Sequence, residues 1–222
     1  MKPISLHVRQ ILRTIAAVAL AIVLTPQIAA AVEVVGEISK LSGSAKLERS
    51  GSSLEVVQAM QVAVGDKIRT GPNGQVSVTF HDGSKAELGE SSTLTIDKYA
   101  LSGSSRTSAL LTLWGGHLHT IVSVITGGPP AFEVHTPNSV AAVRGTDFET
   151  AFIEGRPCPE DRSCMRYTTV GVSQGVVEVS NPGNSAPAVR LTEGYETTIP
   201  CESPPTSPAP LGVEELGAPG YH

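Results

Sequence analysis

The segment of this chain closest to a catalytic motif is a G-x-S-x-G pentapeptide at residues 171–175, centred on Ser173. This spacing is that of a nucleophile elbow, which needs a strand before the serine and a helix after it. Residues 176–179, VVEV, instead alternate between apolar and polar side chains as in another strand. We therefore interpret the pentapeptide as a turn between strands and expect the protein not to be an enzyme.

His117 and His119 are the candidates for metal ligation. Their i, i+2 spacing puts both rings on one side of a strand, where two imidazoles could begin a metal site. They flank Leu118, which is the natural inward residue, so we expect two polar outer residues of a half-exposed strand. Asp147 and Glu149 alternate in the same way and do not define an acid–base pair. We predict no catalytic residues, no metal and no cofactor.

The chain has three cysteines, which are its candidates for disulfide bonds or metal binding. Cys158 and Cys164 enclose a polar loop, and in an oxidising compartment we expect them to pair. Closing so short a loop is worth roughly 2 kcal/mol in the chain-entropy model. Cys201 is then left over and could pair with either of the others, so the connectivity stays open. A zinc site is not expected, because no C-x-x-C spacing is present.

The first 31 residues have the pattern of a signal peptide. A basic segment precedes an apolar run of about ten residues, too short for the roughly 20 that a membrane-spanning helix needs. Ala29 and Ala31 have the A-x-A spacing of a cleavage site, and we predict cleavage between Ala31 and Val32. We therefore expect no stable membrane span and a periplasmic or secreted protein.

The charge left after cleavage limits the partners. Residues 1–31 contain three of the 16 basic residues and none of the 21 acidic ones, so their removal changes the formal charge from −5 to −8. An acidic surface argues against nucleic acid and against an anionic membrane as partners.

The mature chain has the pattern of an all-β fold. From about residue 34 to 199, short segments alternate with period two, as in Val76, Val78 and Phe80. Turn sequences such as GPNG at 71–74 and NPG at 181–183 separate them. We predict ten or more short strands in a β-solenoid-like or stacked two-sheet arrangement. The domain covers residues 32–201, and we expect the Pro-rich tail, 202–222, to be disordered or extended.

Two groups of short motifs are more specific than any catalytic pattern. GD-x-I-x-TG at 65–71 is followed by DGS at 82–84, and TP at 136–137 is followed by VRGT-x-F at 143–148. In this order they resemble the FecR domain, the periplasmic domain of ferric-citrate-type transmembrane regulators, over roughly residues 35–200. The motif residues to which we give structural roles are Gly65, Asp66, Asp82, Gly83, Thr136, Pro137, Arg144, Gly145, Thr146 and Phe148.

Each of these motifs has a local physical interpretation. The Asp66 carboxylate is expected to accept backbone N–H groups at a tight turn. Asp82-Gly83 is the signal of a two-residue hairpin, and Pro137 ends a strand because it cannot donate to the ladder. Arg144 lies among apolar residues, so we expect it to be partly buried as a clamp on backbone carbonyls or a carboxylate.

The resemblance implies a role in signalling through protein contacts. Regulators of this family place an anti-sigma segment and a membrane helix before the FecR domain. Only about 13 residues precede the apolar run here, so we expect a stand-alone exported FecR domain. Our first hypothesis is a non-enzymatic module that docks on another envelope protein in signalling or assembly. The alternative is a structural or glycan-associated scaffold of the cell envelope.

Overall fold

The computed structural model describes residues 33–103, 105–124 and 132–212. Within these residues it contains no helix and seventeen strands. The strands are β1 Val34–Ser42, β2 Ala45–Arg49, β3 Ser52–Glu55, β4 Gln61–Ala63, β5 Lys67–Thr70, β6 Gln75–Phe80, β7 Lys85–Leu88, β8 Thr93–Ser102, β9 Ser105–Ile121, β10 Phe132–Thr136, β11 Ser139–Val143, β12 Asp147–Glu154, β13 Arg166–Gln174, β14 Val176–Ser180, β15 Val189–Thr192, β16 Tyr195–Pro200 and β17 Ala209–Pro210. The predicted all-β fold is confirmed, whereas residues 1–31 and the Ala31–Val32 cleavage position lie outside the described residues.

The strands form two ladders that share β9. The first runs β4-β1-β6-β7-β9-β12-β13-β16-β17. The second runs β3-β2-β5-β8-β9-β10-β11-β14-β15. Among the described strands, β9 and β10 form a parallel pair and the other pairs are antiparallel.

Strand β9 crosses between the ladders at Gly115-Gly116. Gly115 pairs with β8 of the second ladder, and Gly116 pairs with β12 of the first. Gly116 has φ +87°, and a Cβ there would lie 2.2 Å from Ser92 Oγ. Only glycine fits both the backbone conformation and this close approach.

The two ladders pack face to face around one core. Alternation is complete in β6 and β11, where every second side chain is buried. One continuous cluster takes buried side chains from both ladders, mainly Val, Ile, Leu and Ala. The rings of Phe80 and Tyr99, one from each ladder, stack with centroids 4.4 Å apart. Of the two arrangements left open by the sequence, the stacked one is present.

The predicted Cys158–Cys164 disulfide is wrong, because Cys164 pairs with Cys201. Strands β13 and β16 are antiparallel neighbours, so the start of β13 lies beside the end of β16. Cys164 lies two residues before β13, and Cys201 directly follows β16. The Cys201 N–H donates to Arg166 O at 3.1 Å at this end of the ladder. Cys158 is a buried free thiol that packs against the disulfide.

The proline-rich segment is ordered as far as it is described. Thr206 N–H donates to Thr198 O at 2.9 Å, and Leu211 N–H donates to Gly194 O at 2.8 Å. β17 adds to the edge of β16. Residues 202–212 are therefore extended and held by the sheet edge. In the described part of the chain, no helix is long and apolar enough to span a membrane.

Candidate functional site

The first family motif forms a buried corner around Asp66. Its side chain is fully buried, and Oδ2 accepts the Ala63 N–H at 2.8 Å. Arg49 donates two hydrogen bonds to the same carboxylate, from Nε to Oδ1 at 2.7 Å and from Nη2 to Oδ2 at 2.6 Å. A two-pronged charge-assisted contact of this kind fixes geometry as well as adding energy. The role predicted for Asp66, as acceptor of a backbone N–H, is present, whereas the Arg49 partner was not foreseen.

The second motif, Asp82-Gly83, lies in the turn that connects β6 to β7. Phe80 N–H donates to Ser84 O at 2.9 Å, so the hairpin exists but its loop has three residues rather than two. Gly83 has φ +83°, as the turn requires. The side chain of Asp82 points inward, where its oxygens accept the Ser84 N–H and the Ser84 hydroxyl, both at 2.9 Å.

Arg106 completes this network as a buried ion-pair partner of Asp82. The Arg106 side chain is fully buried and also donates to Ser84 Oγ at 2.8 Å and Ser123 O at 3.2 Å. The Tyr99 hydroxyl donates to Asp82 Oδ1 at 2.6 Å. Burial is the larger cause, and this hydrogen bond the second, of a pKa of Tyr99 that is raised above its ordinary range. The side chains of Asp82, Ser84, Tyr99 and Arg106 thus form a buried polar network that joins the two ladders.

The remaining two motifs, TP at 136–137 and VRGT-x-F at 143–148, also place most of their side chains inside the fold. β10 ends at Thr136, directly before Pro137. Thr146 is buried and donates to Val176 O at 3.0 Å, and Phe148 is fully buried. A Cβ on Gly145 would lie 2.7 Å from Val124 Cα, so the glycine permits a close backbone approach.

Arg144 departs from the rest of its motif, and its predicted partial burial is wrong. Val143 ends β11 facing inward, so the next side chain faces outward and is exposed. Within the described residues, Arg144 makes no hydrogen bond or ion pair. It borders a shallow depression of about 460 Å³, which we call the Arg144 hollow, lined by Ala142, Val143, Arg144, Gly145, Thr146, Gly175, Val176, Glu178 and Arg190.

The two histidines lie on the outer face of the first ladder, on either side of the buried Leu118, as the spacing predicted. His119 Nε2 is 2.7 Å from Asp147 Oδ1, and Nδ1 is 3.5 Å from Glu87 Oε2. Burial alone would lower the pKa of His119, but the hydrogen bond to Asp147 and nearby carboxylates outweigh it and raise the pKa. No group of side chains in the described residues has the arrangement of a metal site.

Ser173 does not lie in a nucleophile elbow. It is exposed near the end of β13, and the chain continues through Gly175 directly into β14. The sequence around it therefore has the predicted role of a strand-to-strand turn.

Trp114 is a surface feature that we did not single out in the sequence. It is half exposed on the outer face of the second ladder. Alternation offered the signal, because Leu111 and Leu113 face inward and the next residue must face outward.

A comparison with family models agrees with these motifs. The model described as "FecR protein" matches residues 66–178, just over half of the chain. The chain belongs to the FecR family, as its motifs predicted.

Two crystal structures are similar to this chain, at 1.65 Å and 2.50 Å resolution, each described as of "a putative anti-sigma factor from Parabacteroides distasonis". Sequence identity is 21% and 22%, with TM-scores of 0.45 and 0.44. Each match covers 60% of this chain and 54% of the other, so the chain matches about half of their length. No curated protein matches the chain.

Proposed function

We propose that this FecR-family chain is a non-enzymatic regulatory module that acts in the periplasm or outside the cell by docking on another envelope protein. Family membership supports a regulatory role. The placement of the motif residues supports docking. Asp66, Asp82, Thr146 and Phe148 are used inside the fold, whereas Arg144 is exposed and has no partner within the described residues.

The single observation that carries the proposal is the exposed guanidinium of Arg144, for which the described part of the chain offers no partner. Every donor of an arginine side chain is available there, and Arg190 provides a second exposed cation at the same hollow. Glu178 pairs in register with Arg190 but forms no ion pair with it. The hollow thus has a local excess of positive charge on a protein whose overall charge is negative.

This local charge selects the partner chemistry. Arginine binds carboxylates in a two-pronged geometry, so the partner segment is expected to carry Asp or Glu at the contact. The hollow is shallow, which suits a side chain or a short loop of another protein better than a buried small molecule. Charged contacts of this kind steer association and fix register.

Site-specific photo-crosslinking tests the proposal in cells of the native host. A photoreactive amino acid replaces Ala142 in the hollow and, as a matched control, the exposed Ser163 in the loop between β12 and β13. We expect one protein to be captured from position 142, and to bind the full chain directly after purification. Equal capture from both positions, or capture from neither, would contradict docking at this hollow.

A further inference from the structure

Trp114 is the only tryptophan in the chain and is 50% exposed. Its indole N–H donates to Thr95 Oγ1 at 3.0 Å, and the Lys67 ammonium lies 5.7 Å from the ring centroid. These contacts hold the ring in one orientation on the sheet. A large aromatic surface is therefore fixed in place and open to water.

The side chains around Trp114 form a continuous polar row on the outer face of the second ladder. Glu48 pairs in register with Lys67, Lys67 with Thr95, and Thr95 with Thr112. The row leads across β2, β5, β8 and β9 to the ring. It is part of a depression of about 560 Å³, the Trp114 hollow, lined by Glu48, Ser50, Gly51, Ser52, Ser53, Gly65, Lys67, Thr95, Asp97 and Trp114.

Several acceptors and donors of this hollow remain unused within the described residues. Asp97 accepts one hydrogen bond, from the Thr112 hydroxyl to Oδ2 at 2.6 Å. Glu48 contacts Arg69 through Oε1 at 3.0 Å. A carboxylate has about four acceptor sites, so both side chains keep free capacity towards the hollow. The hydroxyls of Ser52 and Ser53 are exposed and add further capacity.

We propose that the Trp114 hollow binds the pyranose ring of an uncharged oligosaccharide. The C–H face of a pyranose packs on an aromatic ring, while its hydroxyls point sideways to carboxylates, hydroxyls and amines. The hollow offers this combination. Lys67 already occupies the cation position over the ring, which disfavours a quaternary-ammonium ligand. The hollow has two carboxylates, Glu48 and Asp97, and one ammonium, Lys67, so its net negative charge would repel a polyanionic glycan. The inference does not rest on protein docking at the Arg144 hollow, which lies on β11, β14 and β15.

Because Trp114 is the only tryptophan, the tryptophan fluorescence of the full chain, excited selectively over its four tyrosines, reports on this hollow alone. The probes are N-acetylglucosamine tetrasaccharide and maltotetraose, with polygalacturonate as an anionic comparison. Stacking excludes water from the indole, so we expect a saturable blue shift with at least one neutral tetrasaccharide at concentrations up to about 10 mM. Polygalacturonate is expected to bind more weakly.

Calorimetry with variants then separates stacking from other contacts. We expect Trp114→Ala to weaken tetrasaccharide binding about tenfold or more, and Trp114→Phe to weaken it less. Met165→Ala removes another half-exposed apolar side chain, 47% exposed, and is expected to change nothing. Thermal unfolding checks that each variant is folded. No emission change with either neutral tetrasaccharide, unchanged affinity in Trp114→Ala, or tighter binding of polygalacturonate would overturn the proposal.

Discussion

The buried Asp82–Arg106 pair provides the sharpest test of the physical account of the fold. We consider Arg106→Met, which keeps an apolar stem but removes every donor. Both side chains are almost fully buried, at 3% and 0% exposure. Removing one member of such a pair costs about 3–5 kcal/mol, because the other is left as an uncompensated buried charge.

The remaining contacts narrow that range. Asp82 would keep the Tyr99 hydroxyl at 2.6 Å and the two Ser84 donors at 2.9 Å. In the opposite direction, the Ser123 carbonyl would lose a donor and Phe132 would lose the guanidinium 5.0 Å from its ring centroid. We therefore expect a loss of about 3–4 kcal/mol in the free energy of unfolding, a large share of the 5–15 kcal/mol typical of a domain.

Urea unfolding of the full chain at constant pH measures this loss. The matched control is Arg69→Met, because Arg69 pairs with Glu48 on the surface, where both side chains are nearly half exposed. That substitution is expected to cost less than about 1 kcal/mol. In the double variant with Asp82→Asn, the loss should be smaller than the sum of the two single losses. Equal effects of the two Arg→Met changes, or strictly additive losses, would refute the reasoning.

Three further predictions concern the strand that crosses between the ladders, the disulfide and a histidine. Gly116→Ala is expected to lower the free energy of unfolding in urea by at least ~2 kcal/mol, because its Cβ would clash with Ser92. The control Gly51→Ala has a similar φ of +80° but open space around its Cβ, so it should cost only ~1–2 kcal/mol, and equal losses would contradict the clash. Cys201→Ser opens a disulfide that spans 37 residues, and the chain-entropy model expects a loss of about 4 kcal/mol, again measured in urea; a loss below about 1 kcal/mol would show that the bond adds little. The pKa of His119, followed by NMR, should lie above 6.5. Its contribution to stability is then complete below the unfolded pKa and lost as pH rises through the folded one, so His119→Gln should flatten this decline, and an unchanged pH profile would contradict it.

Much of the fold could be predicted because its signals are local. Alternation in β6 and β11 marks inward and outward faces without knowledge of any partner strand. The turn at Asp82-Gly83 likewise depends on a glycine with positive φ. Strict alternation would also have placed Arg144 outward after the inward Val143. The apolar neighbours suggested burial, but Ala141 and Val143 face the other side of the strand.

The features that could not be predicted depend on pairings between distant strands. Register shifts in the β8–β9 ladder reverse the alternation before Ala109, so Arg106 faces inward where simple counting places it outward. The Cys164–Cys201 bond follows from the neighbouring positions of β13 and β16, which no local pattern indicates. The same edge strand holds residues 202–212, whose composition alone left both disorder and an extended chain open.

The most direct test of the central claim, a protein-docking role for the Arg144 hollow, is the affinity of the full chain for the protein captured by crosslinking. Calorimetry compares the unmodified chain with Arg144→Glu and with Arg162→Glu, which reverses another exposed charge, in the loop between β12 and β13. We predict that Arg144→Glu weakens binding about tenfold or more, equivalent to ~1.4 kcal/mol, and that Arg162→Glu does not. Equal affinities of the unmodified chain and Arg144→Glu would contradict the account.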